Sequence, residues 1–294
     1  MNIKFSRNVL GLALAALCPL LLNACSTGQI VARSSLAIID SGVTVMNRET
    51  DLELAKAAIP ANLKLVESLI QELPTDRELR IHAAQGFYGY AFGFVEDESP
   101  ERASALYRRG LAHALVALQI AGVREDVLAM PLGTLQKALA DLDRDAVPAL
   151  FWAASNWAKW IDLNRTDPAR IAELGKVEAL MRRVLALDET YYFGAPHIFF
   201  GVWYGGRPPM LGGDFALSEM HFAKARDITH GKLLAVDLFY AQYLAVQESN
   251  RRAFHDKLTA VVSAPLDLYP EMALANTIAQ HKATMLLKKE DELF

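Results

Sequence analysis

The chain has 294 residues, 30 basic and 34 acidic, with a formal charge of −4 and 52% hydrophobic residues. That mildly acidic balance excludes nucleic acid, and electrostatic attachment to anionic lipid, as the organising interaction. Cys18 and Cys25 are the only cysteines, and Cys18 falls inside a leader, so neither a disulfide framework nor a cysteine-based metal site is expected.

Residues 1–24 read as an export signal. Lys4 and Arg7 precede an apolar stretch from Val9 to Leu22, and Leu22-Asn23-Ala24-Cys25 closes it. The closing tetrapeptide resembles a bacterial lipoprotein box, which implies cleavage before Cys25 and acylation of that cysteine. One acyl chain binds a membrane marginally, at about 0.8 kcal/mol per buried methylene, whereas two or more anchor stably. Ser26 stands where an aspartate would signal inner-membrane retention, which leans the expectation towards the outer membrane. The mature chain keeps 28 basic and 34 acidic residues, a charge of −6. No later apolar run reaches the roughly 18 residues of a spanning helix, so the lipid is expected to be the sole anchor. Three segments follow: a leader (1–24), an acylated tether with a first helix (25–50), and an all-helical domain (51–294).

Apolar spacing in that domain is helical almost throughout. Leu111, Leu115 and Leu118 fall at i, i+4, i+7, and Ala275, Ala279, Ala283 and Leu286 continue the same face over three turns. Thr75-Asp76-Arg77-Glu78 reads as a capping box with Thr75 as the cap. Ser99-Pro100 and Asp167-Pro168 set a cap before a proline at the first helical position. The expected helices are 30–46, 51–59, 61–72, 76–95, 100–121, 124–140, 146–162, 168–186, 191–205, 214–228, 232–247, 250–263 and 271–289. The run Lys288-Lys289-Glu290-Asp291-Glu292 reads as a solvated terminus. Paired helices match the tetratricopeptide pattern of large and small positions. A unit starting at residue 84 places Phe87, Tyr90, Ala91, Phe94, Ala103, Tyr107 and Gly110 on all seven positions. A unit starting at 234 places five, with Asp237 and Lys257 off pattern. The expected fold is therefore all-α, with stacked helical hairpins of modified tetratricopeptide type.

Three aromatic clusters stand out. The first is Phe87, Tyr88, Tyr90, Phe92 and Phe94 on one predicted helix. The second is Phe151, Trp152, Trp157 and Trp160. The third is Tyr191, Tyr192 and Phe193, with Phe199, Phe200, Trp203 and Tyr204 following. A helix with aromatics on all its faces is either buried all round or lines something. The apolar-cavity candidates are Phe87, Tyr88, Tyr90, Phe92, Phe94, Trp152, Trp157, Trp160, Tyr192, Phe193, Phe199, Trp203 and Tyr204. Against each stands ordinary core packing.

Catalytic and metal patterns are missing. There is no nucleophile elbow, P-loop, H-E-x-x-H or dinucleotide fingerprint. The seven histidines are scattered, with no zinc-type pairing along a helix. Asp237, in the apolar run Ala235-Val236-Asp237-Leu238-Phe239-Tyr240, needs a partner such as Lys232 or an arginine. No enzyme, cofactor or metal is expected.

Several ordered blocks resemble the TatT component associated with TRAP transporters (tripartite ATP-independent periplasmic transporters). They include Pro100-Glu101-Arg102-Ala103, Val147-Pro148-Ala149-Leu150-Phe151-Trp152, Val177-Glu178-Ala179-Leu180-Met181-Arg182-Arg183, the glycine-proline loop ending Gly212-Gly213, and His221-Phe222-Ala223-Lys224-Ala225. The resemblance covers roughly residues 30–294. It implies a periplasmic lipoprotein that forms a homotrimer, docks a DctP-like solute-binding protein and carries an apolar channel for a hydrophobic small molecule. Asp214-Phe215-Ala216-Leu217-Ser218 departs from the more charged turn expected there, which implies an altered partner contact. The alternative is a lipid-anchored repeat scaffold that grips other proteins during envelope assembly.

Overall fold

The computed structural model describes residues 27–294 apart from Arg124. The leader and Cys25 lie outside the described residues. Helix α1 spans Thr27–Asn47, α2 Leu52–Glu72, α3 Arg77–Phe94, α4 Pro100–Ile120, α5 Leu132–Ala140 and α6 Val147–Asp162. Then come α7 (Leu174–Leu187), α8 (Tyr191–Gly205), α9 (Phe215–Ile228), α10 (Ala235–Phe239), α11 (Arg251–Ser263) and α12 (Ala273–Leu287). No strand occurs among the described residues.

Local chemistry sets most of these boundaries. Asp51 caps α2, its carboxylate accepting from the Glu53 and Leu54 amides. Asp76, not Thr75, caps α3, accepting from the Leu79 amide at 3.0 Å. The expected break at Pro60 does not occur. Proline forfeits one backbone bond inside a helix, but Ala55, Leu63, Val66 and Leu69 are buried on either side of it, and that packing keeps α2 continuous. The expected helix 124–140 shrinks to α5, which begins only after Pro131, where the backbone is extended. The expected helix 168–186 splits into a single turn, Pro168–Ile171, and α7. The terminus is not free. Glu290–Leu293 forms a helical turn, Arg251 pairs with Glu290 and Asp291, and Phe294 packs on Phe254.

Successive helices fold back as hairpins. Tyr88 of α3 meets Tyr107 of α4, and a Cβ on Gly201 of α8 would stand 2.8 Å from the Phe222 ring of α9. Glycine at such crossings allows the backbones to approach closely. Asp237 and Lys257, the two residues off the repeat pattern, pair with each other at 2.8 Å, and Arg226 joins at 2.6 Å. An ion pair thus takes the place of a bulky apolar contact.

The array closes on itself. Helix α12, last in the chain, packs against α1 and α2. Its Ile278 lies where a Cβ on Gly93 of α3 would be, 2.7 Å away. Lys282 reaches Glu96 at 3.2 Å and Asp97 at 2.6 Å, just beyond α3. This closure turns a row of hairpins into a wall around a central space.

Candidate functional site: an apolar chamber with one charged end

The central space is a cavity of about 960 Å³, at the upper end of ordinary ligand pockets. Its walls are mainly aromatic and aliphatic and come from α1–α3, α6, α8, α10 and α12. Eight of the thirteen residues singled out in the sequence line it: Tyr88, Tyr90, Phe92, Phe94, Trp152, Tyr192, Phe199 and Trp203. Sequence reasoning missed Phe151, Phe239 and Tyr243, which line it as well.

The remaining five candidates do not face the cavity. Trp157 is fully buried in the core, where its indole N–H donates to Glu173 at 2.8 Å. Phe87 is buried between His113 and the Arg109 guanidinium. Trp160 packs between Arg108 and Arg170. Phe193 turns outward onto Tyr269. Tyr204 stacks on Phe200 and His221, and its hydroxyl accepts from Arg182. Position around the helix decides each case: on α3, Tyr88 and Phe92 stack one turn apart at 6.2 Å on the inner face, while Phe87 faces α4.

The end near α1 is the less polar one, with His82 its single ionisable lining residue besides tyrosines. Asp40 accepts from His82 Nε2 at 2.8 Å, and one turn further along α3 Gln85 reaches the Tyr192 hydroxyl. Trp152 packs edge-on against Tyr192 with ring centroids 5.1 Å apart. The second turn of α6 and the first turn of α8 therefore meet at the α1 end. Ile38 and Leu65 rim the opening and are themselves exposed, at 70% and 49%.

The other end is charged. Along α6 the lining passes from Phe151 and Trp152, through Ser155, to Lys159 and Asp162, and on to Arg165 in the turn that follows. Along α8 it passes from Tyr192 through Phe199 and Trp203, and just past the helix end to Arg207. Lys159 pairs with Glu96 at 2.9 Å and Asp162 at 3.5 Å, and Glu96 also accepts from Tyr107 at 2.6 Å. Burial works against the Lys159 charge, but the carboxylates of Glu96 and Asp162 outweigh it and hold the ammonium's pKa above its usual value. Burial pushes the neighbouring Tyr88 and Tyr107 hydroxyls up, so both stay neutral.

A second polar feature lies behind the wall. Nδ1 of His197 (α8) sits 2.9 Å from Nδ1 of His221 (α9), and both rings are buried. His197 Nε2 donates to Glu189 at 3.2 Å, so His221 Nδ1–H is the donor within the pair. The search for histidine pairs along single helices missed this one because the hairpin brings the rings together. Among the described residues no group of three His, Cys, Asp or Glu has metal-binding geometry, and no helix is long and apolar enough to cross a membrane.

Fold and site together define an all-helical protein closed around an internal apolar chamber. Residues 48–294 match the family model of the TRAP transporter T-component (TAtT), and the chain belongs to that family, whose members are accessory subunits of TRAP transport. Comparison with curated proteins gave no match.

Proposed function

We propose that this protein is a periplasmic accessory subunit, anchored through acylated Cys25, most simply to the outer membrane, that binds or passes a hydrophobic small molecule through its chamber. It works as a homotrimer docked to a DctP-like solute-binding protein. The family membership supports the transport role, and the leader and cysteine pattern support the anchor. The observation that carries the ligand reading is the cavity itself. The aromatic stretch of a space of about 960 Å³ offers water few hydrogen-bond partners and favours an apolar occupant. Burying about ten methylenes there is worth roughly 8 kcal/mol, which corresponds to micromolar affinity before the losses of binding are subtracted.

Mass spectrometry of the acylated protein, extracted gently from its membrane, tests this reading. The expected result is a diacyl or triacyl mass increment on the peptide beginning at Cys25, a retained apolar molecule, and saturable uptake of added palmitate after delipidation. A chamber that neither retains an apolar molecule nor takes up palmitate would overturn the ligand reading. An unmodified cysteine would overturn the anchor.

A further inference from the structure

The chamber is polarised, and its charges are unevenly satisfied. Apart from His82, four ionisable side chains of the acidic and basic kind line it: Lys159, Asp162, Arg165 and Arg207. Three are cations, and all four lie at one end. Asp162 pairs with both Lys159 and Arg165. Arg207 has no carboxylate partner among the described residues. Its Nε–H donates to the Trp203 carbonyl at 3.0 Å, and its guanidinium lies 4.0 Å above the Trp203 ring. Burial, with Arg165 adding to it and Glu178 opposing it, pulls its pKa down from the usual value. Glu178 is itself engaged by Arg182 at 2.7 Å. Stacking and the backbone bond thus fix the guanidinium plane and leave its two terminal nitrogens for a bidentate acceptor. A half-buried arginine whose orientation is set without a carboxylate is chemically complete only when an anion joins it.

We propose that the chamber takes a single-chain amphiphile with an anionic head, a carboxylate or a phosphate. Arg207 grips the head, while the tail runs along α6 and α8 towards Trp152 and Tyr192. The distance from Trp152 to Asp162 along α6 is about 15 Å at 1.5 Å per residue, and Arg165 lies in the turn beyond it, so the span suits a long acyl chain. The inference rests on the chamber being a ligand site, and adds to that reading the head chemistry and the direction in which the ligand lies.

The test uses the delipidated, acylated full-length protein and three probes of equal chain length: palmitate, hexadecyl phosphate and hexadecanol. Both anions are expected to bind at least tenfold more tightly than the alcohol. In Arg207→Gln that anion preference falls about tenfold. In Arg207→Lys, which keeps the charge but loses the fork, it falls less. Arg165→Gln, at an exposed position, lowers it by about twofold. The ratio of palmitate to hexadecyl phosphate affinity then identifies which head the site was built for. Equal affinity of all three probes in the unsubstituted protein would overturn the proposal. So would an anion preference that survives Arg207→Gln, including a parallel loss of all three affinities, which would mark Arg207 as structural. Failure of all three probes to bind would instead remove the ligand chamber itself.

Discussion

Helices α3, α4 and α6 are regular throughout, whereas the segment from α8 to α10 departs from α geometry twice. In α8, Tyr192, Phe193 and Gly194 are left-handed, with φ of 45, 61 and 73°. After α10, Tyr240–Ala245 widens into a π-helical turn. Left-handed backbone costs about 1–2 kcal/mol per non-glycine residue, and such strain persists only where the surroundings over-determine it. Here the Tyr192 ring is wedged among Phe151, Trp152 and Phe193, with centroids 6.0, 5.1 and 5.7 Å away. The outcome is a tyrosine turned into the chamber and a phenylalanine turned out of it. The π turn carries Tyr243 into the same wall beside Phe239. The regular region holds the molecule together, and the irregular one shapes the space inside it.

The largest expected effect breaks this contrast on the regular side. Trp157 is fully buried in the core, packs away from the chamber and belongs to no irregular segment. Trp157→Ala is expected to cost about 3–5 kcal/mol and to leave the Glu173 carboxylate without its indole donor. Urea unfolding of the pair of proteins measures this. Palmitate affinity of the folded fraction should change less than threefold. A large loss of affinity with little loss of stability would place Trp157 in the binding wall after all.

The regular half was legible because its signals are local. The helical spacing from Leu111 to Leu118 and the proline start at Pro100 each need only a few neighbouring residues. What could not be read depends on distant partners. Nothing in Tyr192-Phe193-Gly194 beyond the glycine announces positive φ, because aromatic residues rarely adopt it. The aromatic identity of the wall was visible, but its orientation was not: Phe87 and Tyr88 are neighbours in sequence and face opposite ways. Lys159 and Asp162 at the end of α6 and Arg165 in the turn after it recur every third residue, a run of charge after an apolar start that could have been noticed. Closure through Lys282, nearly two hundred residues from Glu96, leaves no trace in either local sequence.

The next effect sharpens the contrast from the irregular side. At Gly194 an added Cβ would adopt a left-handed conformation with φ of 73° and stand 3.1 Å from Ile228 Cδ1. Gly194→Ala is expected to cost about 1–2 kcal/mol. Its larger consequence should be functional, because relaxing the kink moves Tyr192 out of the wall and lowers palmitate affinity by about tenfold. Calorimetric titration beside urea unfolding separates the two quantities. A variant that loses stability and keeps full affinity would show that the kink only packs the hairpin and does not shape the chamber.

The effect that vanishes at neutral pH, and is the smallest there, concerns the histidine pair behind the same wall. Burial first, then His197 and Arg182, pull the His221 pKa down to about 4. Burial of His197 outweighs its bond to Glu189 and moves that ring in the same direction. In the unfolded chain both imidazoles titrate near 6.5. Between those values the unfolded state binds protons that the folded state refuses, so stability falls as pH drops from about 6.5 to about 4 and levels off below that range. His221→Gln keeps an amide donor facing His197 Nδ1 but removes the titrating ring. Its urea midpoint should therefore decline less steeply than that of the unsubstituted protein across this window, and the two curves should run parallel above pH 7. Equal slopes would mean that the pair is as easily protonated inside the fold as outside it, and that the α8–α9 hairpin tolerates a charge between its helices. The regular region holds no such buried pair of imidazoles, so a pH-dependent loosening should appear first in hydrogen exchange of α8 and α9, with α4 and α6 protected until global unfolding.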